Sequence, residues 1–170
     1  YMAPEIIHGK GHNKAVDYWA LGILVYEMII GHTPFADPSN NHLKIYKKID
    51  KHCNVASRSR NKRSGVDFPR WIQKEQHIVE FVLKLLVPKP TMRLGCVKGG
   101  CEVIRRNPWF KSAHFKWKDL REGRMKPPII PKVTDEWDAC HFDEWGPDTN
   151  DIAPYKASGE KYERVWEDEF

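Results

Sequence analysis

The pattern of hydrophobic and polar positions along this chain predicts one strongly apolar helix near the start. Residues 16–31, VDYWALGILVYEMIIG, are apolar on nearly every face apart from Asp17 and Glu27. Such a pattern indicates a helix buried in a core, with Asp17 accepting from orphan N–H groups at its start and Gly31 closing it. A bilayer span needs about 20 apolar residues. This helix is shorter, so no membrane span is predicted.

Two further stretches predict amphipathic helices. Residues 40–49 place Leu43, Tyr46 and Ile49 at helical spacing, with lysines on the opposite side. Residues 76–87 repeat this pattern and end before two prolines. The apolar positions of the second stretch are Ile78, Phe81, Val82, Leu85 and Leu86. A shorter helix is predicted at residues 102–106.

The intervening segments predict loops. Residues 1–15 contain Pro4, Gly9 and Gly11, which break regular structure. Residues 51–64 carry five Lys or Arg and no acid, which predicts an exposed, mobile loop. Helical periodicity disappears from Pro127 onward. The chain is therefore expected to form a small helical body followed by an extended arm.

Composition narrows the functional classes. The 170 residues are enough for one domain with a core. The four cysteines show neither C-x-x-C pairs nor companion histidines at zinc spacing, so no metal site and no disulfide framework is predicted. A reducing compartment, and hence a cytoplasmic location, is the expectation.

Charge is distributed unevenly along the chain. Residues 1–133 carry 25 Lys and Arg against 11 Asp and Glu, whereas residues 134–170 carry 3 against 12. A basic body with the run RSRNKR is one feature of nucleic-acid-binding proteins. That hypothesis explains neither the apolar helix nor the acidic end, so nucleic-acid binding is not predicted.

Four short motifs occur in a fixed order between these helical patterns. They are APE at residues 3–5, DYWALG at 17–22, PTMRLG at 90–95 and NPWF at 107–110. Together they resemble the C-terminal lobe of an AGC-group serine/threonine protein kinase. The resemblance implies a mainly α fold with an extended C-terminal tail and without the N-terminal lobe. It divides the chain into part of the catalytic domain, residues 1–110, and the AGC tail, residues 111–170.

The tail adds detail to this resemblance. Its matching stretches are DL at residues 119–120, PPIIP at 127–131, FDEW at 142–145 and WEDEF at 166–170. The spacing of the last two aromatic residues is typical of cGMP-dependent protein kinases. The cAMP-dependent kinases, whose ending has two phenylalanines at closer spacing, rank second.

In this family APE ends the activation segment, and the catalytic motifs precede it. A search of the 170 residues finds no G-x-G-x-x-G, V-A-I-K, H-R-D or D-F-G. The resemblance therefore implies a fragment with no catalytic residue and no activity alone, whose full-length enzyme would use ATP and Mg²⁺. The alternative is a non-catalytic kinase-lobe remnant that acts as a binding module.

Three residues match structural positions of the kinase core. The resemblance implies that Glu5 pairs with Arg93 and ties the activation segment to the helices; an ordinary surface ion pair is the alternative. Asp17, besides capping its helix, would hold the backbone of the catalytic loop. With that loop missing, a buried Asp17 would lack its partners and lower the stability of the chain.

Three others match the substrate site. By resemblance, Glu27 receives a basic side chain two residues before the phosphorylated one, Tyr1 hydrogen-bonds to Glu27, and Met2 contributes to the pocket for the residue after the phosphosite. The alternative for Glu27 is a carboxylate that reaches solvent. Basic protein substrates are thus the implied partners.

The tail aromatics match nucleotide-related positions. Phe142 would approach the adenine pocket, while Trp166 and Phe170 would dock on the small lobe. The implied partners are the chain's own N-terminal lobe and cyclic-nucleotide-binding domains in the same full-length protein.

Overall fold

The structure is a computed structural model that describes residues 1–58 and 65–143, with only the backbone described at 55–58. Its regular secondary-structure elements are helices. No β-strand occurs in these ranges, in agreement with the predicted mainly α class. The elements are α1 (Pro4–Ile7), α2 (Ala15–Ile30), α3 (His42–Arg58), α4 (Gln76–Leu85), a 3-10 turn (Pro90–Met92), α5 (Cys101–Arg105), α6 (Pro108–Ser112) and α7 (Trp117–Arg121).

The chain divides into two units, Tyr1–Met125 and Lys126–Phe170. The first contains all of these helices. The second is described as far as residue 143 and forms no helix or strand over that part. Its described part includes a turn in which the Asp138 carboxylate accepts from the backbone N–H groups of Thr134, at 2.7 Å, and Cys140, at 2.9 Å.

A first core cluster is centred on Trp19 of α2. Trp19 is fully buried, stacks on Phe35 at 6.0 Å between ring centroids, and meets the buried His52 ring edge-on at 5.9 Å. The remaining buried members are Ala3, Ile23, Tyr26, Ile49, Val66, Val82 and Leu86. The cluster therefore joins α2, α3 and α4 and the segments between them.

A second cluster lies where α4 meets α6. Phe81 contacts the rings of Trp109 and Phe110 at 5.1 and 5.5 Å between centroids. Gly22 lets α2 approach α4 closely, since a Cβ atom there would lie 2.9 Å from the Leu85 Cβ.

The predicted α2 and α4 are both present, and α2 ends at Gly31, whose φ of 91° is left-handed.

Two predicted loops are in fact partly helical. Helix α1 lies within residues 1–15, because Pro4 at the first helical position already has the φ angle that a helix start needs. Helix α3 continues through residues 51–58, and the rest of the predicted loop, 59–64, is outside the described residues. The inner face of α3 consists of half-buried Ile45 and buried Ile49 and His52, so the helix extends beyond the apolar residues from which it was predicted.

Two predicted burial patterns are wrong. Helix α2 is not covered on every face, since Leu24 is exposed and Met28 is 78% exposed. Leu43, placed by its spacing on the inner face of α3, is also exposed. The face of α2 that is buried is the one that contacts α3 and α4. None of the helices in the described ranges has the length and apolar character of a membrane span.

Candidate substrate-recognition site

The two side chains at the heart of this site are Tyr1, just before α1, and Glu27, in the last turn of α2. The Tyr1 hydroxyl donates a hydrogen bond to Oε2 of Glu27. This hydrogen bond, followed by burial and the negative charge of Glu27, raises the pKa of the Tyr1 phenol. Oε1 of Glu27 accepts no hydrogen bond from the described residues, and the side chain is half-buried. One carboxylate oxygen is therefore fixed and the other is available.

A cavity of about 530 Å³ lies beside Tyr1, between α1, α2 and α3. Tyr1 and Met2 line one side of it, and His42, Ile45 and Tyr46 of α3 line another. Sequence reasoning finds the first two by resemblance and misses the three from α3. Their amphipathic spacing is a signal for a helix, but it does not indicate that part of this helix faces a cavity.

The position of α1 depends on a buried ion pair between Glu5 and Arg93. Arg93 donates from Nη1 to Oε1 and from Nη2 to Oε2 of Glu5, both at 2.6 Å, so the pair is bidentate. Arg93 is 0% and Glu5 7% exposed. The Arg93 guanidinium also lies 5.1 Å from the centre of the Trp19 ring, a cation–π contact. The alternative of a surface ion pair is therefore wrong.

Arg93 also satisfies three backbone carbonyls. Its guanidinium donates to the oxygens of Ala15 at 2.9 Å, Val87 at 2.8 Å and Pro88 at 3.0 Å. The same side chain thus connects α1 to the first turn of α2 and to the segment after α4. Since Tyr1 and Met2 directly precede α1, this network positions the candidate site.

The electrostatics of Glu5 follow from these contacts. Burial alone would raise the pKa of Glu5, but the hydrogen bonds from Arg93 and the nearby positive charge outweigh it and lower that pKa. Glu5 is consequently an ionised carboxylate near neutral pH.

Asp17 departs from two expectations. It lies within the first turn of α2, where its side chain makes no capping hydrogen bond; instead the Asn13 side chain accepts from the Ala15 N–H at 2.9 Å. Asp17 is also exposed and lines the cavity beside Tyr1. A solvated carboxylate needs no buried partner, so the expected loss of stability from an unpaired buried Asp17 does not apply.

The three tail aromatics predicted from the resemblance are not among the residues of this site. Phe142 belongs to the second unit and is 76% exposed. Trp166 and Phe170 lie outside the described residues.

Clusters of metal-ligating side chains are absent from the described part of the chain. No group of three or more His, Cys, Asp or Glu side chains there could hold a metal ion. The cysteines within those ranges form no disulfide bond with one another.

Comparison with known proteins finds one matching family and several similar proteins. The protein kinase domain family matches residues 1–110. The cAMP-dependent protein kinase catalytic subunit 3 of Drosophila melanogaster is 41% identical over 85% of this chain and 22% of its own length. The human cAMP-dependent protein kinase catalytic subunit PRKX is 39% identical over 85% of this chain and 36% of its own length.

A cGMP-dependent kinase is similarly related. The cGMP-dependent protein kinase egl-4 of Caenorhabditis elegans is 39% identical over 94% of this chain and 18% of its own length. Identities of 39–41% do not separate the cGMP-dependent from the cAMP-dependent group. The chain spans between about a fifth and two fifths of the length of these curated relatives. With its family match, its helical fold and these cyclic-nucleotide-dependent, AGC-group relatives, the chain belongs to the protein kinase domain family.

Proposed function

We propose that this chain is the C-terminal part of a serine/threonine protein kinase that phosphorylates basic protein substrates, and that it supplies part of the substrate-recognition surface. The observation that carries this proposal is the contact between Tyr1 and Glu27 next to a cavity. The similarity to cAMP- and cGMP-dependent kinases supports the reaction class.

The chemistry of Glu27 favours a basic ligand. Its carboxylate is half-buried, and the hydroxyl of Tyr1 orients it through Oε2. An arginine or lysine that donates to Oε1 would form a charge-assisted hydrogen bond, the stronger class of hydrogen bond in proteins. A hydrophobic residue placed further along the same peptide could enter the cavity beside Met2.

Asp17, at the edge of the same cavity, and the tail aromatics Phe142, Trp166 and Phe170 have roles that rest on the resemblance. In the longer enzyme Asp17 would hold the catalytic loop and Phe142 would approach the adenine. Trp166 and Phe170 would contact the small lobe. The cysteine spacings, which indicate no disulfide framework, support a reducing, cytoplasmic setting for that enzyme.

Phosphoryl transfer itself is assigned to parts of a longer protein. In the longer enzyme ATP would supply the phosphoryl group and Mg²⁺ would neutralise its charge. No group of three or more His, Cys, Asp or Glu side chains among the described residues could hold a metal ion. We expect the 170-residue chain to transfer no phosphate from ATP to a basic peptide. Turnover of labelled ATP by this chain that survives repurification would contradict that assignment.

Equilibrium binding tests the recognition role. The probe is a fluorescent peptide with arginine two residues before a serine and leucine after it, measured by anisotropy with the 170-residue chain. Glu27→Gln is expected to weaken binding about tenfold or more, because hydrogen bonds to charged groups contribute about 1.5–3 kcal/mol. Tyr1→Phe is expected to weaken it less, since the carboxylate remains.

The matched control is Glu75→Gln, which removes one charge from an exposed glutamate outside the site. Its affinity should equal that of the unaltered chain. Equal affinities of the Glu27→Gln and Glu75→Gln variants would refute the role of Glu27.

A non-catalytic binding module is the second candidate, because the Tyr1–Glu27 contact and the adjoining cavity can bind a peptide without phosphoryl transfer. Sequencing of full-length transcripts discriminates the two. H-R-D and D-F-G motifs encoded upstream of Tyr1 in the same frame would support the kinase, and a start codon close to Tyr1 would support the binding module.

A further inference from the structure

A second cavity, of about 550 Å³, lies between α5 and α7 and shares no residue with the candidate substrate site. Its lining combines basic side chains with an apolar surface. The lining residues are Glu102, Arg105, Arg106, Trp117, Lys118, Leu120 and Arg121. The proposed function does not use this combination.

The charge of this cleft is positive. Four cationic side chains line it against one carboxylate, that of Glu102. Glu102 interacts with Arg105 and lies 3.7 Å from the Nε of Arg106. Lys118 and Arg121 on α7 are exposed and form no ion pair within the described residues. The α7 side of the cleft therefore presents two cationic groups that are available to an acidic ligand, whereas the two arginines of α5 share the single carboxylate of Glu102.

The apolar part of the cleft is held in place by α6 and α5. The Trp117 ring lies 4.7 Å from the ring centroids of both Phe110 and Phe115, and its Nε1–H donates to the Arg105 carbonyl at 3.0 Å. Leu120, one turn further along α7, is 50% exposed. A rigid aromatic ring beside an exposed leucine is a surface that an apolar side chain can cover.

We propose that the cleft between α5 and α7 binds an acidic peptide segment of a partner protein, with one apolar side chain between its carboxylates. The carboxylates would pair with the arginines and Lys118, and the apolar side chain would cover Trp117 and Leu120. Arginine is well suited to this role, because its planar guanidinium matches a carboxylate in a bidentate fashion. The volume suits a ligand of a few residues.

Two features favour a peptide over a nucleic acid. Glu102 lines the cleft beside Arg105 and Arg106, where its carboxylate would repel closely spaced phosphates and a peptide N–H could donate to it. Specific nucleic-acid interfaces also bury large surfaces, typically about 1,000–2,500 Å² of protein. A single cleft between two five-residue helices is a smaller contact.

The test uses the 170-residue chain and a fluorescent peptide, Glu-Glu-Leu-Asp-Glu-Glu, with anisotropy as the readout. The double variant Arg106→Glu/Arg121→Glu is expected to weaken binding about tenfold or more, since close charge pairs across an interface couple strongly. The matched control, Lys89→Glu/Lys98→Glu, changes the net charge equally at exposed lysines outside the cleft and should retain most of the affinity. Arg121→Gln, which adds no acid, should weaken binding about threefold.

Three further measurements complete the test. Leu120→Ala should weaken binding about threefold, and replacing the acidic residues of the peptide by Gln and Asn should abolish it. Far-UV circular dichroism should show that every variant keeps its helix content. Equal binding by the two double variants, or equal binding of the neutral peptide, would overturn the proposal. Tighter binding of a single-stranded DNA oligonucleotide that depends on the same arginines would also overturn it.

Discussion

The buried pair of Glu5 and Arg93 allows the sharpest stability prediction. Replacing Glu5 by Gln keeps the shape of the side chain and removes its charge. Arg93 then remains fully buried without a counter-charge. Breaking a buried ion pair by removing one partner typically costs about 3–5 kcal/mol.

From the contacts of each side chain, we expect Glu5→Gln and Arg93→Met to lie at opposite ends of that range of destabilisation. After Glu5→Gln, the Arg93 guanidinium still donates to three carbonyl oxygens, and the oxygen of the new amide can accept one of its other bonds, so we expect a loss of about 3 kcal/mol. Arg93→Met instead strands a buried carboxylate and leaves those carbonyls unpaired, so we expect about 5 kcal/mol. The double variant Glu5→Gln/Arg93→Met should be less destabilised than the sum of the two single variants, because neither charge is left behind.

Urea unfolding followed by far-UV circular dichroism measures these differences. The control is Glu80→Gln, which breaks the exposed pair between Glu80 and Lys84, 3.2 Å apart on α4, and should cost less than about 1 kcal/mol. A cost for Glu5→Gln as small as that of the control would contradict a stabilising buried pair, as would full additivity in the double variant.

The same pair predicts a dependence on pH. Because the folded-state pKa of Glu5 is lowered, its contribution is fully present above the unfolded value of about 4.3 and is lost as pH falls through the folded value. The Glu5→Gln variant should lack this part of the acid destabilisation, which acid titrations of both proteins would reveal.

Three more predictions concern single positions in the first unit. Burial lowers the pKa of His52, so below pH about 6.5 the unfolded chain binds a proton that the folded chain does not, and stability should fall by up to about 1.4 kcal/mol per pH unit until the folded pKa is reached. His52→Phe should remove that slope in denaturant titrations at several pH values, and an unchanged slope would contradict the assignment. Gly95→Ala should destabilise more than Gly100→Ala; both have positive φ, but only at Gly95 would a Cβ collide with a tyrosine ring, at 2.5 Å, and equal melting temperatures would contradict this. Burial raises the pKa of Cys53 to about 11, so Ellman's reagent should label exposed Cys101 at once and Cys53 only on unfolding, whereas equal labelling rates would be incompatible with the described burial.

Helices with many apolar residues can be predicted from sequence. The pattern predicts helix α2 within one residue at each end, because its length and the glycine that ends it are local signals. It also predicts the start of α4, because the apolar face of that helix repeats at helical spacing.

Elements that depend on distant residues are harder to predict. The second half of α3 is buried through His52, whose Nε2 donates to the Leu86 carbonyl at 2.7 Å. From sequence alone, a histidine beside basic residues is not recognised as part of an apolar face. The four-residue helix α1 is too short to be stable by its own hydrogen bonds, and the long-range pair of Glu5 with Arg93 holds it.

The candidate site, too, depends mainly on residues that are distant in sequence. The pairing of Tyr1 with Glu27, 26 positions apart, is expected from a family resemblance, and no periodicity in the chain indicates it. The cavity beside them depends on how α3 lies against α1 and α2, which is a matter of tertiary packing. The exposure of Asp17 likewise follows from which face of α2 the other helices cover.

The proposed contact between Glu27 and a basic side chain of the substrate can be measured by a double-mutant cycle. The unaltered chain and its Glu27→Gln variant would each be titrated with the basic peptide carrying either arginine or citrulline two residues before its serine. A direct charge-assisted contact predicts a coupling free energy of about 1.5–3 kcal/mol between the two changes. A coupling indistinguishable from zero, with the two changes fully additive, would contradict the account.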